Sequence, residues 1–193
     1  MTSQPRKIDP APILHLPNTK TLIRPLAPTE SDIEHMTKHA NNPLIAQYMR
    51  NAFPHPYTNE AAMNWINFTL SQNPICHFAI CDAHTNTAIG AIGLKSRDDV
   101  QHRTMEVGYW IGEELSGRGI GSEALREFVK WVFEQEEFER IVRIDAEVFE
   151  GNESSKKVLG KAGFQYEGRR RSAVEKGGKV LDTFVYALLR EDI

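Results

Sequence analysis

The residues best suited to chemistry surround a glycine stretch, Ser116-Gly-Arg-Gly-Ile-Gly-Ser122, which directly precedes a run of helix-forming residues. Glycine loses more conformational entropy on folding than other residues, so this density of glycines needs a physical reason. A helix N-terminus offers unpaired backbone N–H groups and the positive end of the helix dipole, and both suit a phosphate group. The stretch therefore predicts either a phosphate-binding turn, assisted by Arg118, or a tight strand-to-helix turn without a ligand.

Two well-known nucleotide motifs do not fit the glycine stretch. A mononucleotide-binding loop ends in Gly-Lys-Ser/Thr, whereas this stretch continues as Gly121-Ser-Glu123. The dinucleotide-binding fingerprint Gly-x-Gly-x-x-Gly, counted from Gly117, would need a glycine at Ser122. Both motifs are therefore excluded.

A second segment, Asn152 to Phe164, lies one predicted strand downstream and reads NESSKKVLGKAGF. Asn152 is typical of a helix N-cap, and Gly163 is typical of the position that follows a helix. Val158 and Leu159 supply an apolar side between them. Taken alone, the segment predicts a short capped helix and no ligand.

Together the two segments resemble the GNAT superfamily of acetyltransferases, which use acetyl coenzyme A. The family's coenzyme motif, Gln/Arg-x-x-Gly-x-Gly/Ala, aligns with Ser116 to Gly121 and matches both glycines but not the first position. The next helix in the family often begins Asn-x-x-Ser/Ala and ends in Gly-Phe, as do Asn152-Glu-Ser-Ser155 and Gly163-Phe164. The strand before the glycines, MEVGYWI, resembles the RimJ/RimL-like branch, which acetylates protein N-terminal amines and small amines. The resemblance covers roughly residues 20–190.

The resemblance implies a site for acetyl coenzyme A as a cosubstrate, and no metal. The pyrophosphate is expected at the backbone amides of residues 118–122. The pantetheine arm is expected to pair with the strand end at residues 109–111, like an added strand. The implied coenzyme-binding residues are Tyr109, Trp110, Ile111, Arg118, Gly119, Ile120, Gly121, Ser122, Asn152 and Ser155.

Acetyl transfer to an amine needs a group that removes a proton, because an alkyl amine with a pKa of about 10.4 is protonated near neutral pH. The resemblance points to Glu106, in the strand that enters the glycine stretch, as this base. Glu175 is the alternative base. For both residues the competing interpretation is a solvated or salt-bridged surface carboxylate.

The departing thiolate also needs a partner. Many family members carry a tyrosine four residues before the Phe of Gly-Phe, but this position is Gly160 here. The RimJ/RimL-like branch often offers the serine of Asn-x-x-Ser instead, so the resemblance implies Ser155 as the acid or thiolate donor. The competing interpretation is a helix-surface hydroxyl bonded to its own backbone.

Composition and charge argue against other functional classes. The formal net charge of −3 does not favour nucleic-acid binding, and no apolar run approaches membrane-spanning length. The odd spacing of Cys76 and Cys81 places them on opposite faces of a strand and predicts reduced thiols in a cytoplasmic protein. His35 and His39 lack a third ligand, so no metal site is expected there. A homodimer is compatible with the sequence, which leaves the oligomeric state open.

The order of apolar alternation and helical periodicity predicts an α/β fold, with a mixed sheet of about seven strands and helices on both faces. This element order is the one that the resemblance to the GNAT fold implies. Residues 1–18 are proline-rich and are expected to form a loosely ordered tail, and residues 19–193 are expected to form one domain. The strands are predicted at residues 21–27, 75–81, 87–95, 104–111, 141–149, 164–170 and 179–189.

These features predict an N-acetyltransferase that acts on a primary amine, either a protein N-terminus or a small molecule. The alternative is a catalytically silent module that binds acetyl coenzyme A as a sensor. The acceptor pocket is expected between residues 41–58 and the last two strands, with Tyr48, His55 and Tyr57 as candidate lining residues. The arginine run 169–171 is expected to protect a strand edge.

Overall fold

The computed structural model describes residues 10–193 and contains one eight-stranded sheet with the strand order β1-β2-β3-β4-β5-β6-β8-β7. The strands are β1 Leu14–Leu16, β2 Thr21–Pro25, β3 His77–Asp82, β4 Ala88–Ser96, β5 Thr104–Ile111, β6 Arg143–Phe149, β7 Gln165–Lys176 and β8 Lys179–Leu189. The α-helices are α1 Glu30–Ala40, α2 Pro43–Ala46, α3 Asn59–Ser71, α4 Ile120–Glu134 and α5 Glu153–Lys161.

The sheet is mixed, as predicted, and its one parallel pair is β5 with β6. Helix α4 connects these two strands, and a crossover of this kind is what allows neighbouring strands to run parallel. The register pairs residues 104–106 only with residues 143–145. Beyond Glu106 and Asp145 the two strands therefore separate and leave an opening, which we call the splay.

Each face of the sheet carries its own apolar core. One core packs α4 and α5 against the sheet and includes Phe128 and Leu159. The other packs α1 and α3 against the opposite face and includes Met36 and Ile66. The prediction of helices on both faces is confirmed. The apolar side of α4 is buried at Leu125, Phe128, Val129, Val132 and Phe133.

The N-terminal segment corrects one expectation. Part of the supposed tail, Leu14–Leu16, forms strand β1 antiparallel to β2, so the sheet has eight strands rather than seven. Leu16 is fully buried in the core beneath α4. Prolines flank this short segment without interrupting it, so its backbone remains free to pair. The expectation for residues 1–9 lies outside the described residues.

The C-terminal hairpin extends further than the sequence indicated. Strand β7 reaches Lys176 instead of ending at Arg170, because the hairpin closes at a turn of two glycines, Gly177 and Gly178, with positive φ. Strand β7 lies at the edge of the sheet and is largely exposed. The expected charged edge is present, with Arg169 paired to Asp182 and Arg170 paired to Glu147.

Candidate active site

A cavity of about 1460 Å³ runs through the splay. The glycine stretch and α5 form one end, and α2, α3 and the loop between them form the other. The structure brings together along this cavity nearly all the predicted site residues, which are Glu106, Tyr109, Trp110, Ile111, Gly119, Ile120, Gly121, Ser122, Asn152 and Ser155.

The glycine stretch forms a tight turn into α4. Gly117 and Gly119 have φ values of 78° and 83°, a region that side-chain-bearing residues rarely adopt. Gly119 is the N-cap of α4, and no side chain caps the first turn. The first amides of a helix lack intrahelical acceptors, and the residues that carry them here, Ile120, Gly121 and Ser122, line the cavity. This arrangement fits a phosphate group.

Arg118 does not take the position expected of it. Its side chain is exposed and does not line the cavity. The guanidinium instead donates to the backbone carbonyl of Glu114 at 3.3 Å. The backbone of the turn, rather than this side chain, is therefore presented to a ligand.

A buried carboxylate anchors the first turn of α4. Glu123 accepts hydrogen bonds from the backbone N–H of Thr19 at 2.8 Å and from the side-chain amide of Asn18 at 2.8 Å. Burial opposes its charge, but the hydrogen bonds from Thr19 and Asn18 outweigh burial and lower the pKa of Glu123. The β1–β2 turn thus fixes the helix start next to the glycine stretch.

The splay leaves part of β5 without a strand neighbour on the β6 side. Residues 107–111 continue past the last β5–β6 pair and line the cavity. Unpaired strand backbone can bind an extended ligand as an added strand. Together with the uncapped start of α4, this edge fits a ligand with a pyrophosphate and an extended amide-bearing arm.

The opposite faces of β5 present different chemistry to the splay. Met105 and Val107 belong to the core beneath α4, and Tyr109 packs against that core. Trp110 belongs to the other core, and Glu106 shares its face because side chains alternate along a strand. The carboxylate and the phenol therefore approach the splay from opposite sides.

Tyr109 and Ser155 form a hydroxyl pair that the sequence did not predict. The Oη of Tyr109 lies 2.9 Å from the Oγ of Ser155. Burial raises the pKa of Tyr109 to about 12, although the hydrogen bond with Ser155 acts in the opposite direction. Asn152 caps α5 as predicted and accepts a hydrogen bond from the Ser155 backbone N–H at 3.2 Å. The alternation of side chains along β5 is the sequence signal that could have placed the Tyr109 phenol on the face opposite Glu106.

Glu106 belongs to a network of charged side chains. Its Oε1 lies 2.5 Å from Arg50 Nη2, and its Oε2 lies 3.5 Å from Arg97 Nη2. Arg97 also pairs with Asp145 at 3.0 Å, and burial raises the pKa of Asp145 more than this pairing lowers it. Glu106 is 14% exposed and Arg50 is 54% exposed. The pair is therefore open to solvent on the arginine side.

Glu175 lies away from the cavity. It is exposed on β7, close to the Gly177–Gly178 turn, and is not among the described residues that line the cavity. Of the two carboxylates proposed as base, Glu106 is the one that reaches the splay.

The end of the cavity opposite the glycine stretch is rich in aromatic side chains. Tyr48 and Tyr57 line it as predicted, but His55 does not. Tyr48 also donates a hydrogen bond to the Gly151 carbonyl at 3.0 Å, which ties the loop after α2 to the loop before α5. Arg50 and Phe53 lie within the predicted range 41–58 but were not singled out, and sequence reasoning missed other lining residues, namely Trp65, Phe68, His77, Lys95, Lys157 and Lys161. Only Lys157 and Lys161 carried a local signal, their four-residue spacing on α5.

Two further observations bear on the site and the chain. Within residues 10–193, no group of three or more histidine, cysteine, aspartate and glutamate side chains is arranged to hold a metal ion. Over the same residues, no helix has the length and apolar character needed to cross a bilayer.

Comparison with known proteins identifies the class that this fold and site define. Residues 20–165 match the family described as "Acetyltransferase (GNAT) domain", so the chain belongs to the GNAT acetyltransferase family. The matched residues include both segments on which the predicted resemblance depends, Ser116 to Ser122 and Asn152 to Phe164.

Individual relatives and one solved structure are similar to the chain to different extents. "Putative ribosomal N-acetyltransferase YdaF" of Bacillus subtilis is 38% identical over 103 residues, and this match spans about half of each chain, 53% of this one and 54% of the relative. "Probable N-acetyltransferase YjcK" of Bacillus subtilis is 30% identical over 88% of this chain and 94% of its own length. Mycobacterium smegmatis RimJ in complex with CoA-disulfide shares the fold with a TM-score of 0.78 at 19% identity, covering 95% of this chain and 88% of RimJ. The predicted membership of the GNAT superfamily is confirmed, and the likeness to RimJ is one of fold.

Proposed function

We propose that the protein transfers an acetyl group from acetyl coenzyme A to a primary amine by direct attack, assisted by a general base. The observation that carries this proposal is that two groups able to transfer protons approach the splay from opposite faces of β5. Glu106 lies on one face of β5, and the Tyr109–Ser155 pair lies on the other. The coenzyme supplies an acetyl thioester, and the chain supplies binding, orientation and proton transfer.

The backbone of the glycine stretch and α4 binds the pyrophosphate in this proposal. The uncapped N–H groups at Ile120, Gly121 and Ser122 and the helix dipole favour the negative charge. Lys157 and Lys161, one turn apart on α5, line the same end and add positive charge. Residues 109–111 hold the extended arm along the free edge of β5.

Glu106 takes the proton from the attacking amine, directly or through a water molecule. In the structure Arg50 forms an ion pair with the Glu106 carboxylate, so the ammonium group displaces Arg50 when it binds. An ion pair with one half-exposed partner is weak, because water solvates the released guanidinium. The exchange of one cation for another therefore adds little to the barrier.

Ser155 stabilises the departing thiolate and provides its proton. Tyr109 holds the serine hydroxyl in place from the same side of β5. A thiol with a pKa of about 8.5 leaves readily, so a hydrogen-bonded hydroxyl is sufficient as a partner.

The acceptor is a protein N-terminus or a small amine. The name of the Bacillus subtilis relative, which refers to a ribosomal N-acetyltransferase, supports the first. The alternative function is a catalytically silent sensor of acetyl coenzyme A.

Two measurements separate the enzyme from the sensor. Calorimetry with acetyl coenzyme A measures binding, and a thiol-reactive dye measures release of the coenzyme thiol with a panel of amines, amino acids and peptides. The enzyme releases thiol in an amine-dependent manner, and mass spectrometry then finds an acetylated product. Tight binding without release for any acceptor would instead support the sensor, and absence of binding would refute both.

A further inference from the structure

On the acceptor side of the splay, the space next to Gly108 is empty. A Cβ atom added at Gly108 would meet no other atom within 4 Å. Gly108 lies on β5 between Glu106 and Trp110, which point to the same face. The neighbouring glycine on β4, Gly93, is different, because a Cβ there would overlap the ring of His77. The open space is therefore bounded by a carboxylate at one end and by aromatic rings at the other end and along one side.

In addition to Arg97, which pairs with Glu106 Oε2, two cations of the cavity lining flank the carboxylate that bounds this space. Arg50 Nη2 lies 2.5 Å from Glu106 Oε1. Lys95 is the cross-strand partner of Glu106, so both side chains project from the same face. Lys95 is exposed, lines the cavity and has no ion pair within the described part of the chain. A ligand that places an ammonium on Glu106 therefore meets Arg50 directly beside it and Lys95 on the same face of the sheet.

The walls nearest Gly108 are aromatic, and the further carboxylates that line the cavity are Glu60, on α3, and Glu147, which pairs with Arg170. Trp65 packs against His77 with ring centroids 4.9 Å apart, and Phe53 packs against Trp110 at 6.3 Å. Burial lowers the pKa of His77 to about 4, so its ring is neutral at pH 7. These rings favour an apolar group over a second charged one.

We propose that the acceptor is an amino-acid-type amine, a small molecule whose carboxylate lies directly beside its amino group and whose side chain is apolar. This inference rests on the acetyl transfer proposed above. Its ammonium binds Glu106, its carboxylate binds Arg50 and Lys95, and its side chain lies above Gly108 toward the aromatic rings. The closeness of Arg50 to Glu106 matches a ligand in which opposite charges are neighbours.

The reaction balances with these contacts. The ammonium gives one proton to Glu106, the resulting amine nitrogen forms a bond to the acetyl carbon, and the carbon–sulfur bond breaks. Ser155 donates its hydroxyl proton to the departing sulfur and regains one from the nitrogen, which loses its second proton. The products are an N-acetyl amino acid and the coenzyme thiol, and Glu106 returns its proton to solvent. The amide product has lost its positive charge and its attraction to Glu106, which favours release.

A matched set of acceptors tests the proposal with L-phenylalanine, its amide and phenylethylamine, which lacks the carboxylate. Thiol release by the full chain should be at least about tenfold more efficient, in kcat/KM, with phenylalanine than with the other two, because the charged contact is lost in both. Arg50→Gln should lower the value for phenylalanine about tenfold to a hundredfold and change that for phenylethylamine by less than about threefold. Lys179→Gln, at the exposed hairpin turn, is the control.

A second variant tests the position above Gly108. Gly108→Val fills the open space, so acetylation of phenylalanine should be lost while calorimetric binding of acetyl coenzyme A remains. Equal or better turnover of the amide, of phenylethylamine or of a peptide with an uncharged first residue would overturn the inference. An equal loss on all acceptors in Arg50→Gln would also overturn it. Coenzyme binding without thiol release for any acceptor would refute the proposed function itself.

Discussion

The two ends of the cavity are built in different ways. The coenzyme end consists of a short continuous turn, residues 116–122, whose backbone amides face the cavity, and of the neighbouring helix α5. The acceptor end is assembled from side chains on α2, α3, β3, β4, β5 and the loop before α3. Contacts such as Arg50 with Glu106 join residues 56 positions apart. The end that we assign to the coenzyme is thus formed largely by a continuous stretch of backbone, and the end that we assign to the acceptor is formed by side chains far apart in the sequence.

This division implies that the two ends should fail separately. Changes at the glycine stretch should remove coenzyme binding, whereas changes around Glu106 should remove chemistry and leave coenzyme binding in place. Four predictions, in order of decreasing expected effect, test that separation.

Replacement of the base should have the largest effect. Glu106→Gln keeps the shape of the side chain but removes its ability to take a proton, so kcat/KM should fall about a hundredfold to ten-thousandfold. Calorimetric affinity for acetyl coenzyme A should not change. Glu175→Gln is the matched control because it makes the same substitution away from the cavity. A large loss in Glu175→Gln with none in Glu106→Gln would reverse the assignment.

Replacement of the N-cap glycine should act on binding. Gly119 has φ 83°, and a β-branched residue there costs about 1–3 kcal/mol in backbone strain or moves the amides that face the cavity. Gly119→Val should lower coenzyme affinity about a hundredfold by calorimetry. Gly160→Ala is the control, because Gly160 is exposed on α5 and has open space at its Cβ position. Unchanged affinity in Gly119→Val would show that the pyrophosphate binds elsewhere.

His77, in the wall of the acceptor end, should make the free energy of unfolding depend on pH. Burial lowers the pKa of His77 from 6.5 to about 4. Between these values the unfolded chain binds a proton that the folded chain does not, so stability falls as the pH drops from 6.5 to 4. The loss is on the order of 3 kcal/mol.

The contribution of His77 can be isolated by comparison with His77→Gln in urea unfolding across this pH range. The pKa of His39 is also lowered by burial, and the difference between the two proteins removes its contribution. Parallel stability curves for wild type and variant would contradict the prediction.

The hydroxyl pair should give the smallest effect. Tyr109→Phe removes the partner of Ser155, and kcat should fall about tenfold while the KM for acetyl coenzyme A changes less than about twofold. If the two hydroxyls act together, adding Ser155→Ala should cause little further loss. Tyr166→Phe, at an exposed tyrosine, is the control. Multiplicative losses in the double variant would assign the residues separate roles.

Sequence reasoning predicted the backbone turn before α4 and the cap of α5 because their signals are local. The glycines at 117 and 119 reflect required positive φ values, and Asn152 reflects a helix cap, so each was visible within a few residues. The sheet was also predictable from alternation, apart from β1. That strand is only three residues long and is defined by its pairing with β2 rather than by its own pattern.

The acceptor end could not be predicted in the same way. Arg50 lies on a loop with no distinguishing neighbours, and it matters only because the fold carries it to Glu106. Arg118 illustrates the complementary point, since its place in the motif does not determine where its side chain points, and the guanidinium donates to the Glu114 carbonyl.

The elements, their order and the backbone turn at the start of α4 follow from local sequence, because hydrophobic period, caps and glycine conformation act over a few residues. The place where β5 and β6 separate and the side chains that meet there follow from the three-dimensional fold. Those outcomes depend on the register of strands and on packing between segments far apart in the chain. A local motif therefore predicts the turn at the proposed coenzyme end, whereas the side chains of the proposed acceptor end can be identified only from the fold.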